Sequence, residues 1–162
     1  KVEHNRAKNG DFNFYEMWIN HGENPDGEKY AYALLPNATK EQTQEYASKP
    51  ETEILSNTEN IQAVRENSLG VTGIIFWEAG TFGNMSVSTP ILVMHSETSE
   101  EITLCVSDPT QKLSEATLTI NAVGEIIDCD SNIKATKGNG NTTFRIDFTT
   151  AKGKSLTFKI KK

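Results

Sequence analysis

The side chains with the widest chemical repertoire in this sequence are three histidines, His4, His21 and His95. None of them stands in an HExxH spacing, which places two imidazoles on one helix face to hold a metal. The sequence also lacks a GxSxG nucleophile elbow, a phosphate-binding loop and a Rossmann fingerprint. The His21-Gly22 pair could form a catalytic loop, but a turn at the end of a strand explains it more simply. We therefore predict no metal site and no cofactor.

The carboxylates also form no predicted metal site. Glu100 and Glu101 stand side by side at a predicted turn, where both side chains would be solvated. Asp108 precedes Pro109, and an Asp-Pro pair is typical of a turn. We predict that Asp108 shapes the chain and does not bind a metal.

Four aromatic side chains have the shape to stack on sugar rings: Trp18, Tyr30, Tyr32 and Trp77. All four lie in apolar segments of strand-like pattern, and aromatic residues commonly dominate protein cores. We predict that these four side chains are buried. The sequence therefore leaves the carbohydrate-binding residues of this chain, if it has any, unknown.

Two cysteines, Cys105 and Cys129, have neither a CxxC neighbour nor a nearby histidine cluster, which argues against a zinc site. They could form one disulfide in an oxidising compartment, or remain two free thiols on neighbouring strands. Because a disulfide requires Cα atoms within about 7 Å, the choice depends on the three-dimensional structure.

Charge is distributed unevenly along the 162 residues, which carry a net charge of −6. Residues 1–133 hold 8 Lys and Arg against 21 Asp and Glu, whereas residues 134–162 hold 8 against 1. A basic end can attract a polyanion, or it can lie beside the acidic remainder of its own chain. We favour the second interpretation. We exclude nucleic acid as a partner, because no recognised binding motif accompanies the lysines.

The elements that must position these residues begin with two apolar segments, Phe12 to Ile19 and Tyr30 to Asn37. Each would be apolar on both faces as a strand, so each requires a covering layer above and below. Pro36 ends the second segment and Asn37 turns the chain. The two segments predict a hairpin inside a large sandwich whose covering layers this short chain cannot supply.

A short helix is predicted next, because Thr39 followed by Gln42 resembles a capping box and Pro50 ends the segment. Residues 53–56 predict a brief strand. Residues 60–66 fit a helix or a strand equally well, since Ile61 and Val64 recur at helical spacing.

The remainder is typical of short β-strands. Apolar residues alternate with polar ones at 102–106, 118–120, 144–148 and 156–160, and turns are predicted at 80–84, 138–141 and 152–154. Such alternation indicates an antiparallel β-sandwich. We divide the chain into a first β part with the short helix, residues 1–53, and a C-terminal β-sandwich, residues 54–162.

No apolar run approaches the length of a membrane span. The opening residues Lys1-Val2-Glu3-His4 are followed by no apolar run, so we expect no signal peptide here and expect that the segment has been cut from a precursor.

Several of these segments together resemble polysaccharide lyase family 8, which contains hyaluronate, chondroitin AC and xanthan lyases. The order Trp18-Ile-Asn-His-Gly, Asn24-Pro25 and Tyr30-Ala-Tyr-Ala-Leu-Leu-Pro-Asn is similar to the end of the central β-supersandwich of that family. The resemblance covers roughly residues 12–120. It continues through Tyr46-Ala, Ile54-Leu-Ser-Asn, Gln62-Ala-Val, Gly70-Val-Thr-Gly, Phe76-Trp77 and Val106-Ser-Asp-Pro-Thr-Gln.

The resemblance implies an all-β fold: the end of a galactose-mutarotase-like β-supersandwich, followed by a small C-terminal antiparallel β-sandwich. It also implies cleavage of acidic polysaccharides by β-elimination, in which a neutralised uronate carboxylate makes the C5 proton removable. The Asn, His, Tyr and Arg that do this in the family belong mainly to an α/α-toroid domain. No family motif of that domain matches this chain, so we predict no catalytic residue here, and His21 is not one.

Three hypotheses follow: a noncatalytic C-terminal region of a secreted lyase, an independent carbohydrate-binding module, or a structural domain of a surface protein. We favour the first. Its partners would be the toroid domain of the same parent protein and the parent's acidic polysaccharide, and its location would be extracellular. A long helical region upstream, with Asn, His and Tyr motifs, would distinguish the first hypothesis from the others.

Overall fold

The computed structural model describes residues 16–162. The chain divides into two compact units, Lys1–Thr43 and Gln44–Lys162. Within the described residues there are one helix and twelve strands, and every strand pair is antiparallel. The predicted all-β fold is therefore confirmed, whereas the predicted division at residue 53 stays a prediction.

The helix α1 spans Lys40–Ser48 and begins at the predicted capping box. The Thr39 N–H donates to Gln42 Oε1 at 2.7 Å, and the Gln42 N–H donates to Thr39 Oγ1 at 3.2 Å. Two otherwise unpaired donors of the first turn are thereby satisfied. In the last turn of the helix, the Tyr46 hydroxyl lies 2.5 Å from Thr52 Oγ1, which ties the end of α1 to the first strand.

The second unit is a two-layer β-sandwich. Its seven-stranded sheet has the order β1-β2-β3-β6-β7-β12-β9, and its five-stranded sheet has the order β10-β11-β8-β5-β4. The strands are β1 (Thr52–Asn57), β2 (Ile61–Glu66), β3 (Val71–Phe76), β4 (Gly80–Phe82), β5 (Met85–Val87), β6 (Ile91–Glu97), β7 (Glu101–Ser107), β8 (Glu115–Ile120), β9 (Glu125–Cys129), β10 (Ile133–Lys137), β11 (Thr142–Asp147) and β12 (Leu156–Lys161).

The core lies between the inward faces of the two sheets, where the predicted alternation holds on the long strands. Phe144 of β11 and Phe158 of β12 are fully buried, and their rings stack across the sheets with centroids 4.0 Å apart. The other predicted inward residues are buried as well: Ile102, Leu104, Val106, Leu118, Ile120, Ile146, Phe148, Leu156 and Ile160. The segment that fitted helix or strand is strand β2, because β1 and β3 pair with it on both sides.

The predicted hairpin is wrong for the part of it that the structure describes. Residues 16–19 and 30–35 form no strand, while residues 12–15 lie outside the described residues. A strand requires a paired neighbour, and an isolated two-stranded hairpin is at best marginally stable in water. The turn after Leu35 is confirmed, since Asn37 adopts a φ of 61° and the Ala38 N–H donates to the Leu35 carbonyl.

The predicted burial of the four aromatic side chains is also wrong. Trp18 is 79% exposed, Tyr30 64%, Tyr32 65% and Trp77 54%. The physical reason is the same: residues 16–162 contain no layer that covers these apolar positions.

Candidate functional site

The predicted candidate residues do not converge on one site. His4 lies outside the described residues. His21 lies beside Tyr30, with ring centroids 6.3 Å apart, in a pocket of about 300 Å³ in the first unit. His95 belongs to β6 of the second unit. In the part of the chain that the structure describes, no group of three or more His, Cys, Asp and Glu side chains is placed to hold a metal.

His95 has a buried, unpaired ring nitrogen. Its Nε2 finds no hydrogen-bond partner within residues 16–162, and the Glu97 oxygen Oε2 lies 3.7 Å away. Burial lowers the pKa of His95; the Glu97 carboxylate opposes this effect, and Arg65 and Lys162 add to it. The imidazole is therefore held neutral.

We expect the free energy of unfolding to fall as the pH drops below about 6.5, because the unfolded chain takes up a proton that the folded imidazole resists. His95→Gln should remove most of this slope, measured by urea unfolding between about pH 5.5 and 7.5. His21→Gln serves as the control. An unchanged slope in His95→Gln would contradict the assignment.

The two cysteines are free thiols. Cys105 lies on β7 opposite Thr157, and Cys129 lies on β9 opposite Phe158, so β12 separates them. Successive residues of a strand point to opposite faces, so the two thiols lie on different faces of the sheet. Burial raises the pKa of Cys129, and the neighbouring Asp130 and Asp128 raise it further, which keeps this thiol protonated.

Asp108 closes a turn, as predicted, and its side chain is buried. Its Oδ1 accepts hydrogen bonds from the Thr110 N–H at 2.8 Å and the Thr110 hydroxyl at 2.7 Å. Its Oδ2 accepts from the N–H groups of Lys112 at 2.8 Å and Leu113 at 2.7 Å. Four donors thus surround one carboxylate and fix the loop between β7 and β8.

The basic end of the chain is only partly neutralised. Lys162 Nζ lies 2.6 Å from Glu97 Oε1, and Lys159 Nζ lies 3.7 Å from Glu101 Oε1. These pairs agree with the interpretation that the last strand lies beside acidic residues of its own chain. Lys134 and Lys152 have no carboxylate oxygen within 4.0 Å in the described part of the chain.

A two-lobed polar groove lies at one end of the sandwich, and sequence analysis did not find it. Its lobes have volumes of about 360 and 520 Å³ and share Ser114 and Thr149. The larger lobe includes Glu115, Asn132, Lys134, Arg145 and Asp147. The smaller lobe includes Gln111, Lys112, Phe148, Lys152 and Gly153. We call this feature the end groove.

The outer face of the seven-stranded sheet carries an apolar trough of about 460 Å³. One register row crosses five strands there: Ile54, Val64, Gly73, Met94 and Cys105. Gly73 forms the low point of the row, because a Cβ built on it would meet no atom within 4 Å.

Among the described residues, no helix has the length and the apolar character that a membrane span requires.

Comparisons with known proteins match both units of the chain to one family. Residues 1–47 match the super-sandwich domain of polysaccharide lyase family 8, and residues 53–117 match the C-terminal β-sandwich domain of the same family. The xanthan lyase of Bacillus sp. strain GL1 is 37% identical over 149 residues, covering 89% of this chain and 16% of that protein.

Two further relatives agree. The hyaluronate lyase HylB of Enterococcus faecalis is 35% identical over 140 residues, covering 85% of this chain and 14% of that protein. The solved structure of Paenibacillus xanthan lyase superposes with a TM-score of 0.72 at 32% identity, covering 78% of this chain and 13% of that one. The chain thus spans about one sixth of the length of the relatives it matches. Because the two domain matches together cover most of the chain and relatives above 30% identity cover most of it as well, this chain belongs to polysaccharide lyase family 8.

Proposed function

We propose that this chain is the noncatalytic C-terminal β region of a longer, secreted polysaccharide lyase. One observation carries the proposal: the two consecutive domain matches are both to β domains, and they amount to about one sixth of a relative's length. In this role the chain supports a separate helical catalytic domain of the same protein. The exposed apolar side chains of residues 17–34 are then covered by the rest of the parent.

The parent's reaction, in this proposal, is β-elimination on an acidic polysaccharide. A residue or dipole neutralises the uronate carboxylate, a base removes the C5 proton, and an acid protonates the leaving oxygen. Relatives are named for xanthan and hyaluronate, which supports the proposal of an acidic polysaccharide as the parent's substrate. Such polymers are too large to enter a cell intact, so we propose an extracellular location. Immunodetection of the parent in culture medium, against a cytoplasmic marker, tests the location.

We expect the isolated 162-residue chain to release no unsaturated product from hyaluronan, chondroitin sulfate or xanthan. The measurement is the ultraviolet absorbance of the new C=C bond, with a complete family lyase as positive control. Turnover by the pure chain, lost on His21→Ala, would place a catalytic residue in the β part.

A chimera tests the supporting role directly. The matched segment of the Bacillus xanthan lyase is replaced by this chain, and xanthan cleavage is compared with the native enzyme and with a version truncated before the segment. The proposal expects the chimera to retain activity and the truncated enzyme to lose it. An active truncated enzyme would show that the region gives no support to catalysis.

A further inference from the structure

The walls of the end groove are fixed before any ligand arrives. One wall is the loop after β7, which the buried Asp108 carboxylate closes through four hydrogen bonds. The other wall is the segment after β11, where Asp147 Oδ1 accepts from the Thr149 N–H at 2.8 Å and the Thr149 hydroxyl at 2.6 Å. Preformed walls reduce the ordering cost of binding.

The two walls touch at Gly153. A Cβ built on Gly153 would lie 3.0 Å from Gln111 Nε2, so the Gln111 amide lies directly over the Gly153 backbone. Gly153 also adopts a φ of +79°, which side-chain-bearing residues rarely adopt. This contact closes one side of the smaller lobe and sets the spacing of the two loops.

The carboxylates of the end groove already have partners inside the protein. Glu115 pairs with Arg145, and Asp108 accepts four donors. Hydrogen bonds from the Thr149 side chain and backbone lower the pKa of Asp147, with a smaller effect of Lys134. These groups are therefore poorly available to a ligand.

The cations of the end groove are largely available. Lys112, Lys134 and Lys152 have no carboxylate oxygen within 4.0 Å in residues 16–162. Lys134 lies opposite Arg145 in the β10-β11 register, which brings two positive charges side by side. Because Glu115 already pairs with Arg145, Lys134 is the charge of this pair that has no carboxylate partner, and a bound anion would supply one.

We propose that the end groove binds an acidic oligosaccharide, with the ammonium groups of Lys112, Lys134 and Lys152 facing its carboxylates or sulfates. Volumes of 360 and 520 Å³ lie in the range of ligand sites, and the Ser114 and Ser131 hydroxyls supply further hydrogen-bonding groups. A single-stranded nucleic acid fits less well, because the one aromatic residue of the groove, Phe148, is only 5% exposed and offers no stacking surface.

This inference rests on the proposed function for its choice of glycan. It also limits the expectation that the basic end, residues 134–162, only lies beside acidic residues of its own chain. On the last strand, β12, Lys159 pairs with Glu101, and Lys162, just beyond the strand, pairs with Glu97. Lys161 has no such partner among the described residues, but it lines neither lobe of the end groove. Lys134 and Lys152, which lie outside that strand, take the binding role instead.

The test is a calorimetric titration of the 162-residue chain with size-defined oligosaccharides of hyaluronan and chondroitin sulfate. Dextran oligosaccharides serve as the neutral control. We expect saturable binding at low ionic strength that weakens toward physiological salt, where the screening length is about 8 Å. We expect Lys134→Gln plus Lys152→Gln to weaken binding about tenfold, since two charge contacts are lost.

The matched control is Lys159→Gln plus Lys161→Gln, which removes the same charge from β12 and should change affinity less than about twofold. Urea unfolding of both double variants confirms that each remains folded. Equal losses in the two double variants, equal binding of polyglutamate, or no binding at low salt would each overturn the proposal. Cleavage by the unaltered chimera reports on the supporting role, and glycan titration of the 162-residue chain reports on the end groove, so either idea can fail while the other holds.

Discussion

Asp108→Asn is expected to lower the free energy of unfolding by about 3 kcal/mol, since buried donors that lose a charged acceptor carry a large desolvation penalty. Both oxygens of Asp108 accept hydrogen bonds, and the residue is 3% exposed. An asparagine keeps one oxygen but turns an NH₂ group toward the N–H groups of Lys112 and Leu113. The measurement is urea unfolding followed by circular dichroism.

The chain supplies a matched control in Asp147→Asn. Asp147 begins the same Asp-x-Thr turn, and only its Oδ1 accepts hydrogen bonds, from Thr149. Asparagine keeps that acceptor and the side chain is exposed, so the loss should be much smaller than that of Asp108→Asn. Equal losses in the two variants would show that the second oxygen of Asp108 contributes nothing.

The pH dependence provides a second check on the same carboxylate. Burial would raise the pKa of Asp108, but hydrogen bonds from Leu113, Thr110 and Lys112 outweigh it and lower the pKa below its ordinary value. Because its pKa is lowered in the folded state, the ionised carboxylate stabilises the fold fully at pH values above the unfolded pKa of about 3.9. This stabilisation is lost as the pH falls through the folded pKa. The difference in the free energy of unfolding between wild type and Asp108→Asn should therefore become smaller at acidic pH.

The sequence predicts the long central strands and the helix because their local signals are strong. Strand β7 alternates buried and half-buried residues along its whole length, and Thr39 and Gln42 form the capping box that their spacing indicates. The short strand β4 lies inside the turn predicted at 80–84, and no element was predicted for β5, since three residues are too few to show a period.

The edge strands escaped detection for a different reason. Most residues of β9 and β10 are exposed or half-buried, so their apolar side chains do not mark one face. The end groove depends on one of them, β10. Lys134 comes from β10 and Arg145 from β11, whereas Glu115 comes from β8, and only the strand order β10-β11-β8 brings them together. No periodicity within a segment encodes that order.

The exposed aromatic residues show that a sequence can carry the pattern of a buried strand where the described residues form none. Tyr30 and Tyr32 carry the apolar alternation of a buried strand, yet both are about two-thirds exposed. A sequence pattern predicts how a segment behaves when it is covered, and the covering layers must come from elsewhere. The super-sandwich match of residues 1–47 and the small share of each relative that this chain spans support that explanation.

Gly124→Ala and Gly73→Ala are expected to change stability in opposite directions, although each adds one methyl group. A Cβ on Gly124 would lie 1.9 Å from the Lys161 carbonyl oxygen and 2.6 Å from Ile160 Cγ2. The backbone of β12 cannot move without breaking its pairing with β7 and β9, so we expect a loss of about 2 kcal/mol. The pairing of β12 with the edge strand β9 would loosen first.

Gly73 lies in the middle of β3, and a Cβ there would meet no atom within 4 Å. Alanine reduces the entropy of the unfolded chain without strain, so we expect Gly73→Ala to gain about 0.5 kcal/mol. Urea unfolding of the two variants and the wild type measures both changes in the free energy of unfolding in one experiment. If Gly124→Ala were neutral, the close approach of residue 124 to β12 would be wrong; if Gly73→Ala were destabilising, the apolar trough would already be occupied in the isolated chain.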